Sequence, residues 1–294
     1  MSASSSLDQT LPLYYRHLLT EFRKIVASSL SFHLGFGLLL AGEGLTLLLL
    51  LPTLASSAEL AIALGALFLT LFCYLILHSY FSARKPEQFL LLKEEFVSSC
   101  RQASQDNPLQ IAEALTRLSG YLQDFEKTLY PLPPRFQFLT SFFHKKEIAF
   151  FQNLLIQAAI DEHIQEIGRS PLDLEIHASL AELYKLQSAI HPHALKLALQ
   201  ELLILDELAP GDPWISEKIA DTHQALGDLG SEVKQLESLV SLRPDSPELL
   251  ERLSRLYFRQ GENAKALKLY ADLKRAGFPG IETLLSEYGR SSFS

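Results

Sequence analysis

The stretch Pro210–Gly261, PGDPWISEKIADTHQALGDLGSEVKQLESLVSLRPDSPELLERLSRLYFRQG, decides the fold of the C-terminal half. Pro210 and Pro244 are 34 residues apart (244 − 210), as are Pro213 and Pro247 (247 − 213) and Gly227 and Gly261 (261 − 227). Three coincidences at one period mark an internal repeat. The apolar residues between these markers recur at helical spacing, and no alternating strand pattern interrupts them. The chain therefore reads as all-α.

Within the third unit, Leu250, Leu253, Ser254 and Tyr257 give a large-large-small-aromatic first helix, Gly261 a turn, and Ala266 and Tyr270 a second helix. The middle unit offers Ile219, Ala220, Gly227, Leu229, Leu236 and Pro244; the first offers Leu180, Ala181, Tyr184, Ala198, Leu202 and Pro210. On these residues the stretch from about Leu174 to Gly280 resembles the tetratricopeptide (TPR) family, whose helix-turn-helix repeat is about 34 residues long. The resemblance implies an α-solenoid of helix pairs. Three departures stand out: about five extra residues around Ala189–His193, Glu232 where the second helix usually has a small residue, and Asn263 in place of an aromatic. Residues Ile281–Gly289 read as the capping helix such arrays need, and Ser291–Ser294 as a disordered tail.

The N-terminal third has a different character. Leu30–Leu54, LSFHLGFGLLLAGEGLTLLLLLPTL, carries one charge, Glu43, and Leu60–Leu77, LAIALGALFLTLFCYLIL, carries none. A bilayer core of about 30 Å needs roughly 20 apolar residues in a helix. Both runs meet that requirement, so residues 30–80 read as a transmembrane helical hairpin. A cleaved signal peptide has an apolar core of only about 7–15 residues behind a short basic start. Here the first run is longer, begins after a 29-residue lead, and is followed at once by a second.

The flanks set the orientation. Arg16, Arg23 and Lys24 precede the hairpin, Arg84 and Lys85 follow it, and the connecting loop has no basic residue. The positive-inside rule places both termini and the soluble domain in the cytoplasm. Tyr14, Leu18, Phe22, Ile25 and Val26 recur at helical spacing opposite the basic residues, the pattern of an interfacial helix leading into the span. Small residues Gly37, Ala41, Gly42 and Gly44 surround Glu43, and a closely packed hairpin brings them to Ala61 and Gly65. Folding about Ser57 places Glu43 near Thr70 and Cys73. An intramembrane acid of this kind is a hydrogen-bonded contact across the hairpin or to another copy, a relay group, or a sign of a shallow, tilted or re-entrant helix.

These readings divide the chain into a cytoplasmic lead with interfacial helix (1–29), a transmembrane hairpin (30–80), juxtamembrane helices (81–134), a helical pair (135–173), TPR-like repeats with a capping helix (174–289) and a disordered tail (290–294). Asn107 followed by Pro108 restarts a helix within the third segment, and Pro131, Pro133 and Pro134 interrupt the pattern at its end.

Charge narrows the functions. Residues 1–85 hold five Lys/Arg and four Asp/Glu, which leaves 26 − 5 = 21 basic and 34 − 4 = 30 acidic residues in 86–294, a net charge of −9. An acidic soluble part argues against nucleic acid as partner. Two cysteines, Cys73 and Cys100, make no disulfide framework. Gly42-Glu43-Gly44 lacks the phosphate-loop pattern, and neither His191-Pro-His193 nor Asp161-Glu162-His163 with Glu166 has the spacing of a metalloprotease site. No serine or cysteine has a nucleophile setting. The reading is therefore not an enzyme, with no cofactor and no metal.

The TPR resemblance implies a concave face lined by the first helix of each repeat. By register its lining is Glu175, Glu182 and Lys185, then Trp214, Glu217, Asp221 and Gln224, then Glu248, Glu251, Arg255, Phe258 and Arg259. Acidic residues dominate one end, so the expected ligand is a basic or amphipathic segment of a protein partner. The alternative is an ordinary solvated face with Trp214 packed between repeats. Taken together, the sequence describes a bacterial membrane-anchored scaffold or adaptor touching membrane lipid, with the hairpin as a surface for oligomerisation. Two hydrophobic lobes around a tight loop are also similar to inclusion-membrane proteins of intracellular bacteria, which makes a secreted effector in a host vacuolar membrane the alternative. A small transporter subunit ranks third, for want of site chemistry.

Overall fold

The computed structural model describes residues 4–50, 57–104, 106–125 and 137–275. Among them are ten helices and no strand: α1 (Ser4–Leu50), α2 (Ser57–Ser104), α3 (Pro108–Phe125), α4 (Gln137–Ile167), α5 (Leu174–Gln187), α6 (Ala194–Leu208), α7 (Pro213–Leu226), α8 (Leu229–Leu242), α9 (Pro247–Gln260) and α10 (Asn263–Arg275). The proline cluster at 131–134, the expected capping helix and the tail lie outside the described residues. The chain divides into two compact units, Met1–Glu162 and His163–Ser294.

In the N-terminal unit two very long helices do most of the building. α1 has 47 residues and α2 has 48, each about 70 Å long at 1.5 Å per residue. They run antiparallel: the rings of Tyr15 and Phe96 lie 5.8 Å apart, those of Phe22 and Phe89 5.4 Å, and those of Phe32 and Tyr74 5.8 Å. α4 joins them through Phe151, whose ring is 5.2 Å from Phe22 and 5.5 Å from Phe89. α3 closes the bundle with Ile111, Leu115, Leu118 and Leu122, all buried. Asn107 caps it, its Oδ1 accepting from the backbone N–H of Leu109 at 3.1 Å, with Pro108 first in the helix.

The helices run across the expected segment boundaries at 29/30 and 80/81. The lead is helical, but Leu18, Phe22 and Val26 are buried against protein instead of facing a membrane surface. Phe89 and Phe151 supply the dry aromatic partners that this stripe needs. Pro86 lies inside α2, which passes straight through it. A proline there frees the Ser82 carbonyl, and Ser82 and Ala83 are exposed, so water can take up that acceptor. Within the segment read as a helical pair, α4 is one continuous helix, because His144-Lys145-Lys146 holds neither glycine nor proline to stop it.

The C-terminal unit is a TPR-like array of three helix pairs, α5–α6, α7–α8 and α9–α10. The 34-residue markers act as punctuation: Pro213 and Pro247 open α7 and α9, and Gly227 (φ 76°) and Gly261 (φ 80°) close them in the left-handed conformation. That conformation is why glycine recurs there. Asp173, Asp212 and Asp228 cap α5, α7 and α8 through their side chains. Residues 188–193 separate α5 from α6, whereas two residues separate α7 from α8, so the first turn is longer by 6 − 2 = 4 residues. Ala181, Leu202, Leu205, Ile215 and Ile219 form the first inter-pair core, and Ala220, Leu236, Leu239, Leu253, Tyr257 and Ala266 are central to the second.

Candidate functional site

First helices of successive pairs lie side by side, and two ion pairs join them. Lys218 Nζ on α7 is 2.6 Å from Glu182 Oε1 on α5. On the next step, Arg252 Nη1 on α9 is 2.6 Å from Asp221 Oδ1 on α7. Arg252 does more than pair once. Its Nη2 donates to Glu232 Oε1 at 2.9 Å and its Nε to the same oxygen at 3.2 Å, with Gln224 Oε1 at 3.4 Å from Nη2. Burial alone would push the guanidinium down, but hydrogen bonds to Glu232 and Asp221 outweigh it and hold its pKa above the ordinary value. Glu232 is 2% exposed. Its departure from the small residue of the repeat pattern thus has a partner, reached from the neighbouring pair.

This clasp changes the reading of the candidate face. Asp221, Gln224 and Glu182 are held in inter-pair contacts. Glu251 pairs with Arg255 along α9 at 2.7 Å, and Phe258 packs partly buried against the second core. At the surface are Trp214, 42% exposed with Lys218 Nζ 5.5 Å from its ring centre, together with Glu175, Glu217, Glu248, Arg255 and Arg259. Lys185 is half-buried. Glu217 shares α7 with the Trp214 ring, and the exposed face is narrower than the register implied.

The hairpin brings Glu43 and Thr70 together: Thr70 Oγ1 lies 2.9 Å from Glu43 Oε1. Thr70 Oγ1 is also 3.2 Å from the Ala66 carbonyl, and one hydroxyl proton serves only one of these acceptors at a time. Glu43 Oε2 is buried without a hydrogen-bond partner. Cys73 is exposed. The small residues do not make the expected close approach. A Cβ added at Gly37, Gly42, Gly44 or Gly65 would meet nothing within 4 Å. Aromatic and histidine rings hold the two helices instead: His33 Nδ1 is 3.0 Å from Tyr74 Oη, and the rings of His33 and His78 are 5.1 Å apart. Gly37, Gly42 and Gly65 are exposed, so they do not line the contact between the two helices.

With Thr70 the one partner of Glu43 among the described residues, Glu43→Gln should leave hairpin stability nearly unchanged, since an amide oxygen still accepts. Glu43→Leu should weaken it by about 1 kcal/mol. Unfolding of the full chain by increasing SDS in mixed micelles measures both, and equal loss in the two variants would contradict the account.

Several functional-looking groups are otherwise engaged. Asp161 accepts from Gln157, Glu162 from Arg101 and Glu166 from Arg169, while His191 and His193 are exposed. No group of three or more His, Cys, Asp or Glu converges among the described residues. Two polar contacts escaped the sequence reading. Buried His177 has Nδ1 2.7 Å from Glu201 Oε2 and Nε2 3.1 Å from the Pro171 carbonyl, and Tyr257 Oη donates to Glu237 Oε1 at 2.5 Å. A polar residue at a core position was the only available signal for either.

No known family's sequence profile matches the chain, and no curated protein does. Among solved structures the chain is similar to TTC0263, a thermophilic TPR protein of Thermus thermophilus, at 20% identity and a TM-score of 0.36, over 70% of this chain and 93% of that one. It is also similar to MamA in two crystal structures. One has 16% identity and a TM-score of 0.35 over 42% of this chain and 70% of that one; the other has 14% and 0.36 over 60% and 88%. The helix-pair assignment rests on this chain's own caps, cores and 34-residue register.

Proposed function

We propose that the protein is a membrane-anchored scaffold: the hairpin fixes it in a bilayer, and the exposed face of the helical array recruits a basic or amphipathic segment of a protein partner. The observation that carries the anchoring is the change of surface along α1 and α2. The stretches Phe32–Leu49 and Ala58–Ser104 are long and apolar enough to cross a membrane. In the hairpin, Leu38, Ile62 and Phe68 are 75%, 74% and 75% exposed, yet the same two helices continue into a bundle that buries Phe22 and Phe89 completely. Apolar surface of that extent left uncovered fits acyl chains. The basic flanks Arg16, Arg23, Lys24, Arg84 and Lys85 orient both termini to the cytoplasmic side. The exposed Trp214 beside exposed Glu217 supports a binding role for the array.

Trp214 is the anchor, and Glu217 and Glu248 steer the approach. Their test is capture of partners by the full chain in mild detergent, parent against variant. Trp214→Ala should weaken the dominant complex by about 2 kcal/mol, roughly thirtyfold. Glu217→Lys with Glu248→Lys should slow association and remove its salt dependence. Asp221 is unsuitable for this purpose, because reversing it breaks the Arg252 clasp. Folded variants that retain the parent's partners at equal salt would show that this face is not the binding site.

A further inference from the structure

α4 runs parallel to α2 in a fixed register. Lys85 Nζ meets Glu147 Oε1 at 2.9 Å, the rings of Phe89 and Phe151 lie 5.5 Å apart, and Arg101 Nη2 meets Glu162 Oε1 at 2.7 Å. The numbering offsets are 147 − 85 = 62, 151 − 89 = 62 and 162 − 101 = 61. Followed back toward its start, α4 therefore brings Lys146 level with Arg84 and Gln137 level with Leu75, which lies in the apolar part of α2 and is 53% exposed. The first ten residues of α4, about 15 Å of helix, run beside the last turns of the span. Their sequence begins QFLTSFFH, without one Asp, Glu, Lys or Arg.

Charge changes at the next step. Lys145 and Lys146 are exposed, at the level of exposed Arg84. The Phe22–Phe89 stack sets exposed Arg23 and Lys24 about one turn further from the span. Acidic groups in this band are Glu147, paired with Lys85, Glu21, paired with Lys24, and Glu87. Six cations (Arg23, Lys24, Arg84, Lys85, Lys145, Lys146) against three acids make the band positive, on a chain whose net charge is −8.

We infer that the start of α4 is a third membrane-contacting element: its uncharged turns lie at the headgroup–acyl boundary beside the hairpin, and Lys145, Lys146 and Arg84 hold anionic lipid headgroups. An uncharged, aromatic-rich helix end followed by lysines suits that boundary, where the lysine stems reach back to the headgroup phosphates. The inference rests on the membrane anchoring proposed above.

The test uses the full chain with Trp214→Phe, which removes its one tryptophan. Single reporters are then placed at Phe142→Trp, at Phe150→Trp two turns further along α4, and at Phe72→Trp in the hairpin. The probe is a nanodisc of phosphatidylcholine brominated on its acyl chains. Phe142→Trp and Phe72→Trp should each lose more than about half their fluorescence, and Phe150→Trp should lose little. If Phe72→Trp is quenched while Phe142→Trp stays as bright as Phe150→Trp, the inference is wrong and the anchoring stands. If Phe72→Trp is not quenched, both fall. In nanodiscs containing spin-labelled phosphatidylglycerol, Lys145→Gln with Lys146→Gln should lower the protein's preference for that lipid at least about twofold. An unchanged preference would overturn the headgroup assignment.

Discussion

Arg252→Ala is expected to destabilise the C-terminal array by about 3–5 kcal/mol, because it leaves the Glu232 carboxylate buried with no cation beside it. Glu232 is 2% exposed, and Arg252 supplies both the Nη2 and Nε contacts to its Oε1. Loss of the Asp221 contact adds less, since that carboxylate is a third exposed and water replaces the guanidinium. Urea unfolding followed by the fluorescence of Trp214 isolates this unit, because the chain's one tryptophan lies in it. The control is the double variant with Glu232→Ala, the small residue the repeat pattern favours. It should recover most of the loss, since no buried charge then remains. Equal stability of the single and double variants would show that the clasp holds nothing.

The second large effect is Phe22→Ala, expected to cost the N-terminal unit about 3–5 kcal/mol. Phe22 is completely buried, and its ring stacks on Phe89 and Phe151, so truncation opens a cavity where α1, α2 and α4 meet. Cys100, also completely buried in this unit, reports its opening. With Cys73→Ser removing the exposed thiol, alkylation of Cys100 should speed up by more than about a hundredfold in the variant, as an opening equilibrium shifted by about 3 kcal/mol or more requires. A change of less than about tenfold would mean that the lead helix is not part of the core.

The repeat array was legible because its signals are local. Pro213, Gly227, Pro247 and Gly261 each set backbone conformation at their own position, and one period relates them. The hairpin was legible from composition, and so was the Glu43–Thr70 pairing, since folding at Ser57 leaves little freedom of register. Bundle contacts were not legible. That Leu18 and Phe22 meet Phe89 and Phe151 depends on partners 67 (89 − 22) and 129 (151 − 22) residues away, and an amphipathic stripe looks the same whether it faces protein or lipid. That α2 continues through Pro86 was not legible either, because whether a helix tolerates a proline depends on what its freed carbonyl meets. On the candidate face, register named Trp214, Glu217 and Glu248, which are exposed, but it was silent on Arg252, which sits one residue off the expected lining and engages Asp221 and Gln224.

The central claim, that two helices anchor the array on the cytoplasmic side of a membrane, is tested most directly by thiol accessibility in intact cells. The Cys73→Ser chain carries one added cysteine, at Ser57, the first residue of α2, or at Ser170 just before α5. A membrane-impermeant maleimide should label Ser57→Cys in intact cells and Ser170→Cys only after permeabilisation. Labelling of Ser170→Cys but not Ser57→Cys in intact cells would invert the orientation, and recovery of the unlabelled chain in the soluble fraction would contradict the anchor itself.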